Sequence, residues 1–347
     1  MFKHIYNIKN NAEVFFKNLF RSRPRLLWTM ILIYTSCTLN NTTMKNNPLL
    51  CNPETGICEI PSTETTTGSP SPAPASESAI RIVYFTDPIC SSCWGVEAQL
   101  KKLKLEYGPW ITIDYRMGGL LPGWDTYKSG GISQPSDVAK HWDEASHHYQ
   151  MPIDGDVWLE DPLSSSYPPS IAFKAAQLQD HDKAIAFLRY LREALFLEKQ
   201  NITRWEVMEK AGKKAGLDTE ILHRDFDHAG RSLFEQDLLL ARQMGVRGFP
   251  TFFIFGSDNN EQLLYGARPY EDFEKALLKA RPDLTKQTYS PEWRYLFEHF
   301  PSLTAKEFSV LTNSGMKQAE KELDELHKQG KLSKTTSKNG HLWTIIP

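Results

Sequence analysis

Two cysteines separated by two serines, Cys90 and Cys93, are the residues best suited to chemistry in this chain. They follow an apolar run at 80–85 that is rich in β-formers and predicts a buried strand. Beyond Cys90, apolar residues recur at steps of three and four, which predicts a helix. Cys90 would then lie at the helix N-terminus, where unpaired N–H groups and the helix dipole favour a thiolate. Cys93, one turn later, is placed to resolve a mixed disulfide formed at Cys90.

Other chemistries fit this pair less well. A structural zinc site needs four ligands. Cys51 and Cys58 could add two more, but six residues lie between them and a flexible linker separates them from the pair. Adjacent residues on a helix point in different directions, so we expect His147 and His148 to be solvated. We therefore predict no metal, and no cofactor beyond the dithiol. Two buried thiols or a static disulfide are the structural alternative.

A second cysteine pair frames a turn-rich loop between Cys51 and Cys58. The pair has two interpretations. It could be a second redox pair that exchanges with Cys90 and Cys93 through the flexible linker. It could also be a simple local disulfide or two exposed thiols, which is the interpretation that we favour at this stage.

Another signature lies far along the chain, just before a predicted hairpin, in the run Gly248-Phe249-Pro250-Thr251. A proline at the start of a strand needs no ladder donor. Although trans is the commoner state of an X–Pro bond, the context leads us to expect a cis bond between Phe249 and Pro250. The loop can then face the two cysteines and pair through its backbone with an incoming peptide. Trp94, Phe249 and Thr251 are the expected substrate-binding residues.

The remaining elements supply the frame that positions these residues. The predicted order is a strand at 80–85, a helix, a second strand around 111–115, a long helical stretch, a hairpin and a final helix at 270–280. This order fits an α/β fold in which helices cover both faces of a sheet. The first two strands should be parallel and joined by a right-handed crossover. We place the main domain at residues 80–282, with a helical insert at about 125–244.

Composition limits the class of protein. The chain has 347 residues, of which 40% are hydrophobic, which allows a sizeable core. Its formal net charge of -2 gives no indication of nucleic-acid binding. With only five cysteines, it is not a disulfide scaffold. The dithiol and the Pro250 loop lead us to expect protein or small-thiol substrates, and no integral membrane span is predicted.

The N-terminal residues differ in composition from the rest. Within residues 1–43, the first 25 are basic and a short apolar run follows at 26–34, too short to span a bilayer but as long as a signal-peptide core. Two interpretations follow: export as a lipoprotein through Cys37, or a true start at Met44 and a cytoplasmic product, which we favour. Residues 44–79 hold Cys51 and Cys58 and a linker rich in proline, serine and threonine.

A separate module is predicted at residues 290–347. Two helices, around 305–311 and 316–329, precede two strands that flank Asn339-Gly340, a strong hairpin turn. The order resembles a winged-helix module, which often binds DNA. Between Met316 and His341, six lysines stand against four acids and no arginine is present, so the phosphate-binding pattern is weak and we favour a protein-docking module.

These pieces together resemble the DsbA-like branch of the thioredoxin superfamily, in which a helical domain is inserted into the thioredoxin fold. The resemblance covers about residues 80–282 and is carried by residues 87–95, Glu97 and residues 248–251. It implies that Cys90 is the nucleophile, Cys93 the resolving cysteine and Pro250 the cis-proline. Two subgroups look most similar: FrnE-like cytoplasmic oxidoreductases, and adaptors that present a redox-sensing transcription regulator to an AAA+ protease.

The sequence also departs from the branch. No histidine lies between the cysteines, so the pKa of Cys90 should be less depressed than in a strong oxidant, and Phe249 replaces the small or β-branched residue common before the cis-proline. The first functional hypothesis is a thiol–disulfide oxidoreductase. The alternative is an adaptor that presents a client to an AAA+ protease, which would explain the extra residues 290–347. A glutathione-dependent isomerase is less favoured, because a complete CxxC is present.

Overall fold

A four-stranded mixed sheet is the centre of the fold. The computed structural model describes residues 58–59, 80–125, 127, 132–256 and 260–346. The strand order is β3-β2-β5-β6, with bounds Ile80–Thr86 (β2), Ile111–Met117 (β3), Thr251–Phe255 (β5) and Glu261–Tyr265 (β6). The predicted parallel pairing of β2 with β3 is confirmed, and the β5–β6 hairpin is antiparallel. The pattern is that of an α/β fold.

Aromatic side chains fill the sheet interior. Tyr84 on β2 stacks on Phe252 of β5, with ring centroids 4.3 Å apart, and meets Tyr115 of β3 edge-on at 5.2 Å. Such offset and edge-on contacts add to the stabilisation from burial of these rings. Tyr84 lies two residues before Thr86, where β2 ends and the loop to the two cysteines begins.

Two helices and one 3₁₀ turn connect β2 to β3. Their bounds are Ser91–Gly95 (α1), Glu97–Tyr107 (α2) and Gly108–Trp110 (the 3₁₀ turn). The predicted helix stop at Gly108 is confirmed as the end of α2. A final helix, Tyr270–Ala280 (α10), packs Phe273, Ala276 and Leu277 inward, as its sequence pattern predicts.

A helical insert separates β3 from the hairpin. It contains Ser136–Tyr149 (α3), Val157–Glu160 (α4), Tyr167–Gln179 (α5), His181–Phe196 (α6), Trp205–Lys214 (α7), Thr219–Asp227 (α8) and Ala229–Gln243 (α9). The apolar stripe of α6, which includes Phe187, Leu188, Leu191 and Leu195, is buried in the main core. The positions at which the chain divides into domains stay predictions.

A two-residue strand lies N-terminal to the main sheet. Cys58–Glu59 (β1) pairs antiparallel with Gly248–Phe249 (β4), and Cys58 is opposite Phe249. The predictions on residues 1–57 and 60–79, including Cys37, Met44, Cys51 and the linker, lie outside the described residues. None of the described helices is long and apolar enough to cross a membrane.

The C-terminal residues build a second, smaller core. The elements are Trp293–His299 (α11), Ser302–Thr304 (β7), Ala305–Thr312 (α12), Met316–Lys328 (α13), Leu332–Ser337 (β8) and Gly340–Ile345 (β9). The strands form a sheet of order β7-β9-β8, and a core that includes Phe297, Phe308, Leu323 and Trp343 lies against it. The two helices and the hairpin are confirmed, whereas the winged-helix classification stays a prediction.

The hairpin turn differs by one residue from the predicted one. β8 ends at Ser337 and β9 begins at Gly340, so the connecting residues are Lys338 and Asn339 rather than Asn339-Gly340. Tertiary contacts explain the shift. Asn339 donates to Asp143 Oδ1 at 2.6 Å and to the Ile153 carbonyl at 2.8 Å. Gly340 has φ +148° and lies against Pro152, so the turn is shaped by the helical insert.

A buried ion network joins the C-terminal module to the rest of the chain. Glu307, in the first turn of α12, is fully buried and completes a capping box with Thr304. Its carboxylate contacts Arg189 of α6 at 2.7 Å and Lys101 of α2 at 2.8 Å. Burial alone would raise the pKa of Glu307, but these two cations outweigh burial and lower it to about 2. The module is therefore held by charges that have little access to water.

We expect Glu307→Gln to lower the free energy of unfolding by about 3 kcal/mol near neutral pH, because two buried cations, Lys101 and Arg189, each lose one of their carboxylate partners. Since the folded pKa of Glu307 is depressed, the stabilisation is present above about pH 4.5, the unfolded value, and is lost as pH falls towards 2. Urea unfolding at several pH values measures this. Glu322→Gln, at an exposed position of α13, is the matched control. Equal unfolding free energies of the two variants would contradict the prediction.

Candidate functional site

The first cysteine of the pair lies where the sequence predicts. Cys90 is the N-cap of α1, with extended backbone angles of φ -76° and ψ 111°. Its sulfur accepts a hydrogen bond from the Cys93 backbone N–H at 3.2 Å. An unpaired N–H at a helix start is a natural donor to a sulfur anion. The predicted position of Cys90 at a helix N-terminus is confirmed.

The protonation of the pair differs from the expectation. Both Cys90 and Cys93 are free thiols and both are fully buried. Burial raises the pKa of Cys90 well above its ordinary value, and its hydrogen bond to Cys93 adds to the rise. The expected preference for a Cys90 thiolate is therefore wrong for this arrangement, because loss of water outweighs the helix N-terminus.

The Cys93 sulfur has a different set of neighbours. Burial raises the pKa of Cys93, but the hydrogen bond from Cys90 and the charge of Arg192 outweigh it, with help from Thr86 and the Asp87 backbone. The net pKa of Cys93 lies below its ordinary value.

Arg192 of α6 is the cation that sets this balance. It is fully buried and donates to Glu97 at 2.6 Å, to the Thr86 hydroxyl at 2.7 Å and to the Asp87 carbonyl at 3.2 Å. Sequence reasoning missed it. A signal was present, because a charged residue at position 192 falls on the apolar stripe of the helix, four residues after Leu188 and three before Leu195.

A buried carboxyl lies just before the cysteines. Asp87 accepts hydrogen bonds from the backbone N–H groups of Ile89 at 3.0 Å and Leu120 at 2.7 Å, and from the Ser166 hydroxyl at 2.8 Å. Its full burial nevertheless raises the pKa of Asp87 to about 6. The carboxylate adds to the rise in the pKa of Cys90. Asp87 thus fixes the loop and opposes ionisation of the first thiol.

The loop around Pro250 is fixed by its own backbone and by the strand that follows it. The Phe249–Pro250 peptide bond is cis. Thr251 Oγ1 donates to the Gly248 carbonyl at 2.7 Å, and Gly266 N donates to the Pro250 carbonyl at 2.8 Å. Both contacts tie the loop to the sheet. On the other side of the loop, Gly248–Phe249 (β4) pairs with the strand that carries Cys58.

The structure explains why Phe249 is tolerated beside the proline. Its ring lies directly over Gly118 at the end of β3, and a Cβ added at Gly118 would lie 1.8 Å from Phe249 Cζ. Only glycine leaves room for the ring. The departure from the usual residue before the proline is thus compensated across the sheet by Gly118.

The residues expected to bind substrate have buried side chains. Trp94 donates from Nε1 to the Pro152 carbonyl at 3.0 Å, and Arg189 lies 4.4 Å over its ring. Phe249 is fully buried and Thr251 nearly so. The assignment of Trp94, Phe249 and Thr251 to substrate binding stays a prediction.

The sulfur of Cys58 is in contact with the first cysteine of the dithiol, Cys90. It is disulfide-bonded, and its bonding partner lies outside the described residues. Cys90 Sγ lies 3.3 Å from Cys58 Sγ. Because a disulfide sulfur carries no proton, the thiol of Cys90 is the donor in this contact. The structure therefore brings a thiol and a disulfide sulfur together.

The histidines weighed as metal ligands are both exposed, at positions 147 and 148 of α3. No group of three or more His, Cys, Asp or Glu side chains with the arrangement of a metal site occurs within the part of the chain that the structure describes.

A dithiol at the start of the first helix, after a strand of a mixed sheet and beside a cis-proline loop, defines the thioredoxin-like class of proteins. Residues 84–275 match the family model described as thioredoxin. The chain is 32% identical over 305 residues to the ClpXP adapter protein SpxH of Halalkalibacterium halodurans, covering 86% of this chain and 98% of the relative. The SpxH of Bacillus subtilis is 29% identical, over 77% of this chain and 89% of that protein.

A solved structure shows the same fold. A proposed protein disulfide isomerase from Nitrosomonas europaea superposes with a TM-score of 0.50 at 19% identity, covering 57% of this chain and 96% of that protein. The chain therefore belongs to the thioredoxin family, and within it to the group that includes the SpxH proteins.

We expect Asp87→Asn to change how stability depends on pH. Because the folded pKa of Asp87 is raised, the folded state binds the proton more tightly than the unfolded one. Its contribution to stability is therefore lost as pH rises from about 4 to 6, by up to about 3 kcal/mol. Urea unfolding between these pH values should show a flatter dependence for Asp87→Asn. Asp182→Asn, at an exposed position, should keep the slope of the unmodified chain; the same slope in both variants would refute the assignment.

Proposed function

We propose that this protein is an adaptor that presents a client protein to a ClpXP-type protease. The alignment with the H. halodurans adapter supports this most directly, since it covers 86% of this chain. The thioredoxin model matches residues 84–275 alone. The relation to adapters therefore extends beyond the part of the chain that would suffice for dithiol chemistry.

The burial of the dithiol also supports an adaptor. An enzyme that turns over many disulfides needs an accessible nucleophile, and here both Cys90 and Cys93 are fully buried. The C-terminal module is held against α2 and α6 through Glu307, Lys101 and Arg189. Such a rigid joint suits a surface that must hold a client in a fixed orientation.

The exposed face of α13 is the part of the module that we assign to binding. Its side chains at 317, 320, 321, 322 and 325 are exposed, and its opposite face, with Ala319, Leu323 and Leu326, is buried in the second core. Substitutions on the exposed face leave that core intact. Removal of residues 290–347 would instead leave Lys101 and Arg189 without their buried partner, Glu307.

The adaptor proposal predicts faster degradation of a client in a purified system. With ClpXP of the same organism and a redox-sensing transcription regulator as client, the class implied by the resemblance, we expect the protein to accelerate degradation by about fivefold or more. The rate is followed by loss of the full-length client on gels. A ClpXP substrate that needs no adaptor should be degraded at an unchanged rate.

Two matched double variants test the assignment of α13. Lys317→Glu with Lys321→Glu changes an i, i+4 pair on its exposed face, and should abolish most of the acceleration. Lys275→Glu with Lys279→Glu changes an equally spaced, exposed pair on α10, and should retain it. Loss of the acceleration in both double variants would show that the change of charge matters and not its position, which would contradict the assignment of α13. If the unmodified chain accelerates the degradation of no such regulator, the adaptor proposal is refuted.

A second candidate function is thiol–disulfide exchange with other proteins. The observation that favours it is the 3.3 Å contact between Cys90 Sγ and the disulfide sulfur of Cys58. A thiolate that attacks a disulfide sulfur needs this approach. Cys90 is the proposed nucleophile, Cys93 the resolving cysteine, and Pro250 the residue that orients the adjacent backbone.

If the dithiol turns over external substrates, Cys90→Ser should reduce the rate of insulin reduction by dithiothreitol to background, since the attacking sulfur is lost. Turbidity of the released insulin chains measures the rate. Cys37→Ser, which leaves the dithiol intact, should keep the activity of the unmodified chain. Activity that survives in Cys90→Ser would exclude the dithiol as the catalyst.

A further inference from the structure

The chain itself supplies an occupant for the edge of the cis-proline strand. Cys58–Glu59 pairs antiparallel with Gly248–Phe249, so that Cys58 is opposite Phe249. Addition of an extended segment to an exposed strand edge is a common way for proteins to bind a peptide. Here the segment belongs to the same polypeptide, and Cys58 lies 32 residues before Cys90.

Side chains around Cys58 fix its sulfur next to Cys90. Cys58 is fully buried, and its Sγ lies 3.3 Å from both Cys90 Sγ and Ser92 Oγ. The Ser92 hydroxyl is also 2.8 Å from the Tyr149 hydroxyl. The Tyr149 ring has room because residue 95 is glycine; a Cβ there would lie 2.5 Å from the ring. Ser92 is thereby held where its hydroxyl can donate to the Cys58 sulfur.

We propose that the Cys58 disulfide is an internal substrate of the dithiol, and that electrons pass between the two cysteine pairs within one chain. The bonding partner of Cys58 is assigned to Cys51 from the short loop between them in the sequence. The proposal concerns thiol chemistry alone and does not rest on the adaptor function.

Two exchange steps make up the reaction. In the first, Cys90 Sγ attacks Cys58 Sγ; a Cys90–Cys58 bond forms, the Cys51–Cys58 bond breaks, and Cys51 leaves with the proton that Cys90 gives up. In the second, Cys93 Sγ attacks Cys90 Sγ; a Cys90–Cys93 bond forms and Cys58 is released as a thiolate that takes the proton of Cys93. Two electrons pass from the dithiol to the N-terminal pair, and no outside oxidant is consumed.

The contacts favour this route over one with an external disulfide. The attacking and attacked sulfurs are already within 3.3 Å, in a water-poor site. Holding two reactants together in one molecule replaces a bimolecular encounter by an intramolecular one. The Ser92 hydroxyl is placed to donate to the departing Cys58 thiolate. An external disulfide would first have to displace β1 from β4.

The intermediate can be trapped in the full-length chain. Cys93→Ser lacks the resolving thiol, so the Cys58–Cys90 bond formed in the first step should accumulate. The variant is prepared with one disulfide per chain, kept at about pH 8, quenched with acid and alkylated. Peptide mapping without reduction then gives the bonded pairs. We expect about a fifth or more of the chains to carry the Cys58–Cys90 bond, at a yield independent of protein concentration.

Matched variants separate this reaction from others. Cys37→Ser combined with Cys93→Ser should give the same yield of the bond, whereas Cys90→Ser should give none. Bonds found only between chains, and increasing with concentration, would overturn the proposal. So would a Cys93→Ser chain in which Cys90 is fully alkylated and Cys58 remains bonded elsewhere.

A measurement on the unmodified chain needs no substitution. The chain is prepared with a single disulfide in two ways, once with the Cys58 disulfide and once with the Cys90–Cys93 disulfide. Both preparations should reach the same equilibrium mixture of the two disulfides. Two preparations that never converge would refute internal exchange. Because neither measurement involves ClpXP, a negative degradation assay would leave this result unaffected.

Discussion

The buried guanidinium of Arg192 is the interaction on which the rest of the structure depends. It is fully buried and reaches Glu97, the Thr86 hydroxyl and the Asp87 carbonyl. A charge in such a place is tolerated only when it is paired and hydrogen-bonded. Arg192 thereby fastens the helical insert to the end of β2 and to α2, and its charge lowers the pKa of Cys93. The guanidinium of Arg192 therefore both holds these elements together and affects the ionisation of Cys93.

The same network continues to the C-terminal module. Glu97 pairs with Lys101 at 3.0 Å, and both Lys101 and Arg189 pair with Glu307 of α12. A chain of alternating charges thus runs from the dithiol to the second core. Removal of one member leaves each buried neighbour with fewer opposite charges, which costs more than the pair contributes by itself. The network gives a physical reason why the module is joined to this thioredoxin-like domain as one unit.

Local patterns were enough to predict the framework, and long-range contacts account for what they missed. The strand at 80–85, the helix start at Cys90 and the parallel strand pair follow from periodicity and from turn residues close in sequence. Arg192 meets Glu97 across 95 positions, and Gly118 accommodates Phe249 across the sheet, so neither pairing is encoded locally. The expected Cys90 thiolate failed for the same reason, because the burial that raises its pKa is supplied by distant residues.

The N-terminal strand β1 lies beside the reactive dithiol, because Cys58 contacts Cys90 and pairs with Phe249. While β1 covers the edge of β4, the dithiol is shielded from water and the pKa of Cys90 is raised by burial. If β1 leaves, water and the helix N-terminus act on Cys90 together, and both lower the pKa of a thiol at this position. The backbone edge at Gly248–Phe249 becomes free at the same moment. Departure of β1 would therefore change the surroundings of the Cys90 thiol and of the β4 edge together.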